Sequence, residues 1–341
     1  MLRSLVGSEM CIRDRFLFTK MINKKDFESC IKWIITNQDS SGAIFWDEGK
    51  KFDAWDHSEC LIALAIFGEW QSFKKGIDFL INECNEHGLI KSESVNFAVT
   101  KDYFEPHHVA YVFLPILQKY YLDNDLEYLD DLWPFLSKVY KGMKDFQDEE
   151  GYFFWAKNEN GFVDNSLITA TCSLELSRRA FFKISKILKK NIPEDMHFIS
   201  KDMIKSSKFN RDNVDRGRFS MDSYYPLLCN IGGEQEIETL LQKFYVNDKG
   251  IKCVIEEPWV TLAETAECVV SLKKNGKVEI AKKIFNNILQ YKNDKGFYPT
   301  GYQFKMNIFW PDESSTWTNA AIVIAADAVH DLTGKKKVIL D

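Results

Sequence analysis

The chain has 341 residues, 45% of them apolar, 28% charged and 14% aromatic, with a formal charge of −6. No run approaches the roughly 18 uncharged apolar residues of a membrane span, and the acidic balance argues against a nucleic-acid or anionic-lipid partner, since both reward a basic face. The eight cysteines stand singly, with no CxxC pair and no zinc-type Cys/His spacing, as in a reduced, cytoplasmic protein rather than a disulfide scaffold.

In chain order, the first segment is MLRSLVGSEMCIRDRFLFTK, residues 1–20. Its apolar stretch is too broken for a signal sequence, and Glu9 and Asp14 do not suit a transit peptide. SLVGSEMCIRDR instead resembles translated sequencing-adapter sequence, so the native start is expected at Met21, with a single domain over 21–341. Leaving out Arg3, Arg13, Arg15 and Lys20 against Glu9 and Asp14 takes away a net two positive charges and moves the balance from −6 to −8.

From there one punctuation recurs: a helix-like run, a polar turn ending in Gly, then an aromatic or apolar strand-like patch. The turns end at Gly42 in QDSSG, Gly88 in NEHG, Gly151 in QDEEG, Gly250 in NDKG and Gly296 in NDKG, with a weaker copy at Gly217 in VDRG. Asp, Asn and Gly are the residues that turn a chain after a helix end. After each patch a second helix is expected. These are WDHSECLIALAIF, EPHHVAYVFLPIL, DNSLITATCSLEL, MDSYYPLL, PWVTLAETAECVVSL and SSTWTNAAIVIAADAV, several of them apolar nearly all round, as buried helices are. The helices between them, such as KKDFESCIKWIITNQ, are amphipathic. Six outer and inner helix pairs predict an all-α fold, an (α/α)6 toroid with short strand-like turns; an open solenoid of hairpins is the competing arrangement.

In a toroid the inner helix starts gather at one end of the central cavity, where helix N-termini favour negative charge. The acids there are candidate catalytic residues: Asp56 and Glu59 in WDHSE, Asp222 in MDSYY, and Glu264 and Glu267 in TLAETAE. Asp56 with Glu59, and Thr261 with Glu264, also fit capping boxes. Glu267 lies nearly a turn deeper in its helix, where a cap is no longer needed and a lone carboxylate would be costly. A pair drawn from Asp56 or Glu59 and Glu264 or Glu267, on opposite inner helices, could act as general acid and base in inverting glycoside hydrolysis, which needs about 6.5–9.5 Å between carboxyls. Asp164 in FVDNS is a further option. Trp55, Tyr224, Tyr225, Trp259, Tyr302, Trp310 and Trp317 recur at the same end of each repeat, as do Tyr103 and Tyr298. Rings of this kind line sugar sites and cation-guiding cavities, or simply pack. His57 and His107 are candidate substrate contacts. With His108 they lack a ligand spacing pattern, so no metal and no cofactor are expected.

The blocks WDHSE, SMDSYYPLL, IKCVIEEPWVTLAETAE, GFYPTGYQF and WPDESSTWTNAAIVIAADAV together resemble a bacterial family labelled "prenyltransferase". That family is similar in architecture to terpenoid cyclases, protein prenyltransferase β-subunits and six-hairpin glycosidases, and the QDSSG and QDEEG turns resemble the Gln/Gly turns of squalene cyclases. The resemblance implies a helical-hairpin toroid and, by its label, isoprenoid chemistry. The chain carries neither the DxDDTA acid motif of the cyclases, nor the DxC zinc-ligand element of the β-subunits, nor a basic patch for a diphosphate. The leading expectation is therefore a carbohydrate- or glycoconjugate-active enzyme with a small-molecule or glycan substrate. An isoprenoid transferase or cyclase is the alternative, and a non-catalytic binding toroid the second alternative.

Overall fold

The computed structural model describes residues 22–192, 195–196, 199–209 and 214–341, so the expected Met21 start and the segment before it lie outside the described residues. Fourteen α-helices are described: α1 (Glu28–Thr36), α2 (Ala54–Phe67), α3 (Trp70–Glu83), α4 (Pro106–Ala110), α5 (Phe113–Asp123), α6 (Leu126–Asp131), α7 (Trp133–Lys144), α8 (Ile168–Leu188), α9 (Lys201–Ile204), α10 (Met221–Leu228), α11 (Glu234–Phe244), α12 (Leu262–Lys274), α13 (Val278–Leu289) and α14 (Thr316–His330).

The outer and inner kinds separate by burial. On α13 the buried residues are Ala281, Ile284, Phe285 and Ile288, one stripe at helical spacing, and the remainder of the helix faces outward. On α2 every residue from Ala54 to Ile66 except Asp56 is buried. Six inner helices pack in a closed order: α2 against α5, α5 against α8, α8 against α10, α10 against α12, α12 against α14, and α14 back against α2. The second inner run is broken into α4 and α5 at Tyr111 and Val112. Buried apolar side chains from all six make one connected core. No described helix is long and apolar enough to cross a membrane.

The turns form as the sequence implied. Asp39, Asn85, Asp148 and Asn293 each accept, through the side-chain oxygen, the N–H two residues on, and a Gly with positive φ follows at Gly42, Gly88, Gly151 and Gly296. Two of these glycines also permit close approach. A Cβ at Gly42 or Gly88 would lie 2.1 or 2.2 Å from the carbonyl oxygen of Lys75 or Lys138 on the next outer helix. Gly217 differs from the expected sixth copy: it sits in a short 3-10 turn, Arg216–Arg218, and is not among the positive-φ glycines.

The strand-like patches extend further than short turns. β1 (Lys51–Phe52), β2 (Lys91–Val95), β3 (Ala98–Phe104), β4 (Lys157–Asn158) and β5 (Gly161–Phe162) pair in that order into an antiparallel sheet, with Val95 opposite Ala98 at the hairpin tip. β6 (Tyr245–Val246) pairs with β7 (Gly250–Ile251), while β8 (Trp259–Thr261), β9 (Gly301–Gln303) and β10 (Ile308–Phe309) form a three-stranded sheet. β1, β3 and β8 end within two residues of the starts of α2, α4 and α12. The sheets therefore belong to the end of the molecule where inner helices begin.

Candidate active site

The first turn of α2 is built by its cap. Asp53 is extended, and its carboxylate accepts the Asp56 N–H at 2.9 Å. The cap is thus Asp53, not Asp56, and the expected Asp56/Glu59 capping box does not form. On α12 the cap residue Thr261 makes no side-chain bond to the helix N–H groups; its hydroxyl stands beside the Glu264 carboxyl. Neither Asp56 nor Glu264 is tied up in closing its helix.

Glu59 and Glu267 come from α2 and α12, helices that both pack on α14. The expectation of opposite inner helices is corrected here: α2 and α12 are separated by α14 alone. This helix is rich in alanine, and Ala321 lines a central cavity of about 20 Å³ together with Glu59, Glu267, Ile62, Tyr111 and Ile339. Small side chains on the intervening helix let the two long carboxylic side chains reach each other. The two carboxyls are near enough that each figures among the influences on the other's titration. Trp55 donates its indole N–H to Glu59 Oε1 at 3.1 Å, and Tyr224 and Tyr225 both donate their hydroxyls to Glu267, the latter at 2.8 Å. Burial pushes Glu59 up to about 7. Burial and then the neighbouring Glu59 push Glu267 well above the usual carboxylate range.

Above this pair, Asp56 is half-buried and Glu264 is buried. Burial and the adjoining Asp53 raise Asp56 well above the ordinary value, and burial raises Glu264. Among the described residues Glu264 Oε2 has no hydrogen-bond partner, a property it shares with Glu59 Oε2. Among the described residues neither Asp56 nor Glu264 is in an ion pair. Asp222 is the contrast: Thr169 Oγ1 donates to it at 2.6 Å and Arg216 Nε at 3.1 Å. Both of its oxygens are occupied, in a structural bridge between α8 and α10. Asp164 is exposed in the loop before α8, apart from this cluster.

The other expected contacts divide. Trp55 stacks on Tyr111 at 5.4 Å and meets His107 and Tyr225 edge-on, and Trp317 lies 5.7 Å from Trp46 and beside Glu59. Tyr224 and Tyr225 are fully buried and hold Glu267 rather than lining an open surface. Tyr298 is likewise core. His57 is corrected outright: Ile44 N–H donates to its Nδ1 and its Nε2 reaches the Gly76 carbonyl, both at 3.0 Å, so no polar atom is left for a substrate. Burial lowers its pKa to about 4. Trp259, Tyr302 and Trp310 gather with Phe309 on the β8, β9 and β10 sheet, where the Trp259 indole lies across Gly301 and donates to the Trp310 carbonyl at 2.7 Å. His107 and His108 lie against Glu105, the residue before α4. Glu105, Tyr111 and Trp46 were not nominated from sequence. The signal for Glu105 was an acid set directly before Pro-His-His, whereas nothing local marks Tyr111 or Trp46.

No protein-family model matches the chain. It is 29% identical, over 300 residues, to "MMP endo-(1,4)-3-O-methyl-alpha-D-mannosidase" of Mycolicibacterium hassiacum, covering 87% of this chain and 84% of that one. Among solved structures it is similar to a D-mannose isomerase (11% identity, TM-score 0.66, covering 90% of this chain and 96% of that one) and to a glycosidase in complex with glucose (10%, TM-score 0.60, 89% and 96%). It is also similar to an alpha-amylase from Clostridium perfringens (11%, TM-score 0.61, 89% and 97%). These names offer no support for the prenyltransferase label. The chain is helix-rich and shares its overall fold with these solved structures.

Proposed function

We propose that the chain is an (α/α)6 toroid, a single domain over 21–341, that hydrolyses glycosidic bonds, with an α-mannoside-containing oligosaccharide as the substrate class. The closed packing order of six inner helices supports the toroid, and the extent of the likeness to the mannosidase supports the substrate class. The observation that carries the chemistry is the placing of Asp56 and Glu264. They stand on the first turns of two helices flanking α14, with raised carboxyl pKa values. Of the other nominated acids, Glu267 and Asp222 have both oxygens taken by protein partners, Glu59 holds the Trp55 indole through one oxygen, and Asp164 is exposed.

In the reaction one of the pair gives its proton to the glycosidic oxygen as the bond breaks, and the other takes a proton from the attacking water. The water's oxygen ends on the anomeric carbon, and the leaving sugar carries away the donated proton. A carboxyl raised by burial keeps its proton near neutral pH, as the acid must. Trp55 and Trp317 offer ring faces to a sugar beside these groups. Glu59 and Glu267 act beneath them as a positioning pair that fixes Trp55 and Trp317.

Release of oligosaccharide products from α-mannosides, including 3-O-methylated ones, tests the proposal in the unaltered protein and in Asp56→Asn and Glu264→Gln. Whichever variant recovers on a substrate with a good leaving group carries the acid. Full turnover in both variants refutes the assignment.

A further inference from the structure

Glu105, His107 and His108 stand at the start of α4, beside Trp55. Glu105 and His107 are buried, and His108 is nearly so. The two oxygens of Glu105 have different surroundings. Oε1 accepts the Ser92 hydroxyl at 2.6 Å. Oε2 is approached by two imidazole nitrogens, His107 Nε2 at 3.5 Å and His108 Nε2 at 3.4 Å. One ligand atom from each of the three residues lies within 4.8 Å of the others.

Those spacings discriminate between two uses of the cluster. A charge-assisted N–H···O bond closes to about 2.7–2.9 Å, and neither contact does so. Three donors around a tetrahedral zinc-type ion, with bonds of about 2.0–2.2 Å, sit about 3.3–3.5 Å apart along the edges of the tetrahedron. Both Glu105 to histidine separations match that edge. The tautomer agrees as well. His108 Nδ1 lies 3.2 Å from the Ser92 carbonyl, which can only accept, so Nδ1 carries a hydrogen, and in its neutral form His108 presents a lone pair on Nε2. A lone pair facing a carboxylate oxygen repels it unless a cation lies between them. A backbone carbonyl on one ring nitrogen and a hydroxyl on the far carboxylate oxygen are the outer contacts that orient metal ligands. Trp55, edge-on to both imidazoles at 5.1 and 6.1 Å, holds the rings in place.

We infer that Glu105 Oε2, His107 Nε2 and His108 Nε2 form a three-ligand site for a zinc-class divalent cation, its fourth position taken by water or by an oxygen of a bound ligand. This replaces the expectation of no metal, which considered His57 as the third histidine; His57 is committed to Ile44 and Gly76, and Glu105 takes its place. The site stands independently of the glycosidase proposal, because its test reads metal and not turnover.

The full chain, stripped with a chelator, is titrated with Zn²⁺ and with Co²⁺, and bound metal is measured by elemental analysis. The expected result is one ion per chain, a higher melting temperature with Zn²⁺, and a visible cobalt band of tetrahedral intensity. His108→Ala and Glu105→Gln each remove the cobalt band. Ser92→Ala keeps the three ligands and weakens binding about tenfold by freeing the carboxylate. His87→Ala, at an exposed histidine remote in sequence, leaves binding unchanged. Absence of stoichiometric binding in the unaltered chain overturns the inference. So does a cobalt band that survives both His108→Ala and Glu105→Gln, since the ion would then sit elsewhere.

Discussion

Replacing Glu59 by Gln tests the raised Glu59 carboxyl, buried near Glu267, through its effect on stability. In the folded chain the Glu59 carboxyl titrates at about 7, against 4.5 for the free side chain, chiefly because it is buried. A group whose folded pKa is raised favours the folded state while both states hold the proton, and that benefit is lost as pH climbs from the lower value through the higher. Moving a carboxyl from 4.5 to about 7 corresponds to about 3 kcal/mol, spread over that interval. Gln keeps the volume, accepts the Trp55 N–H through its oxygen and donates to Glu267 through its amide, but it cannot ionise. The unaltered protein should therefore lose about 3 kcal/mol more than Glu59→Gln between about pH 5 and about pH 8, the two converging on the acid side. Urea unfolding at a series of pH values, with the variant subtracted from the parent, isolates this from other titrating groups. Equal pH slopes in the two proteins would refute the raised Glu59 carboxyl.

Asp56→Asn and Glu264→Gln should each lower turnover of an unactivated oligosaccharide by about 10²–10⁴-fold, the usual worth of a positioned acid or base, with melting temperatures nearly unchanged. Asp222→Asn should do the reverse: about 1–3 kcal/mol of stability is lost as the Arg216 bridge is weakened, while activity per folded molecule, read by active-site titration, persists. Gly88→Ala should cost about 2–4 kcal/mol, because Gly88 has φ +80° and an added Cβ meets the Lys138 carbonyl oxygen at 2.2 Å. A differential scanning experiment reads this as a fall of several degrees. Chelation and refilling with cobalt, read by absorbance, checks the Glu105, His107 and His108 site without reference to catalysis.

Much of this protein is local, and the local part was legible in the sequence. A polar turn closing on glycine needs only its own residues: Asp39 or Asn85 turning back onto the next amides, and a residue tolerant of positive φ. Five of six repeats could be found that way, and Gly217 failed because a 3-10 turn makes the same bend without left-handed backbone. The inner helices announced themselves by being apolar all round, since burial on every side leaves no face for charge. Even the acids proposed here as the catalytic pair, Asp56 and Glu264, stand at helix starts where local rules draw attention to them.

What local rules could not do was tell those acids apart. Asp56, Glu59, Asp222, Glu264 and Glu267 look alike in sequence. Their differences come from partners far along the chain: Glu59 and Glu267, 208 positions apart, influence each other, two tyrosine hydroxyls converge on Glu267, and Arg216 pairs with Asp222. The apparent opposition of α2 and α12 was likewise an effect of counting repeats in a line. Closing the ring sets only alanine-rich α14 between them, and that decides which carboxyls meet. Periodicity and turn chemistry act over a few residues and are written in the order of the chain, whereas the protonation and neutrality of a buried acid depend on whatever the closed ring brings within a few ångströms of it.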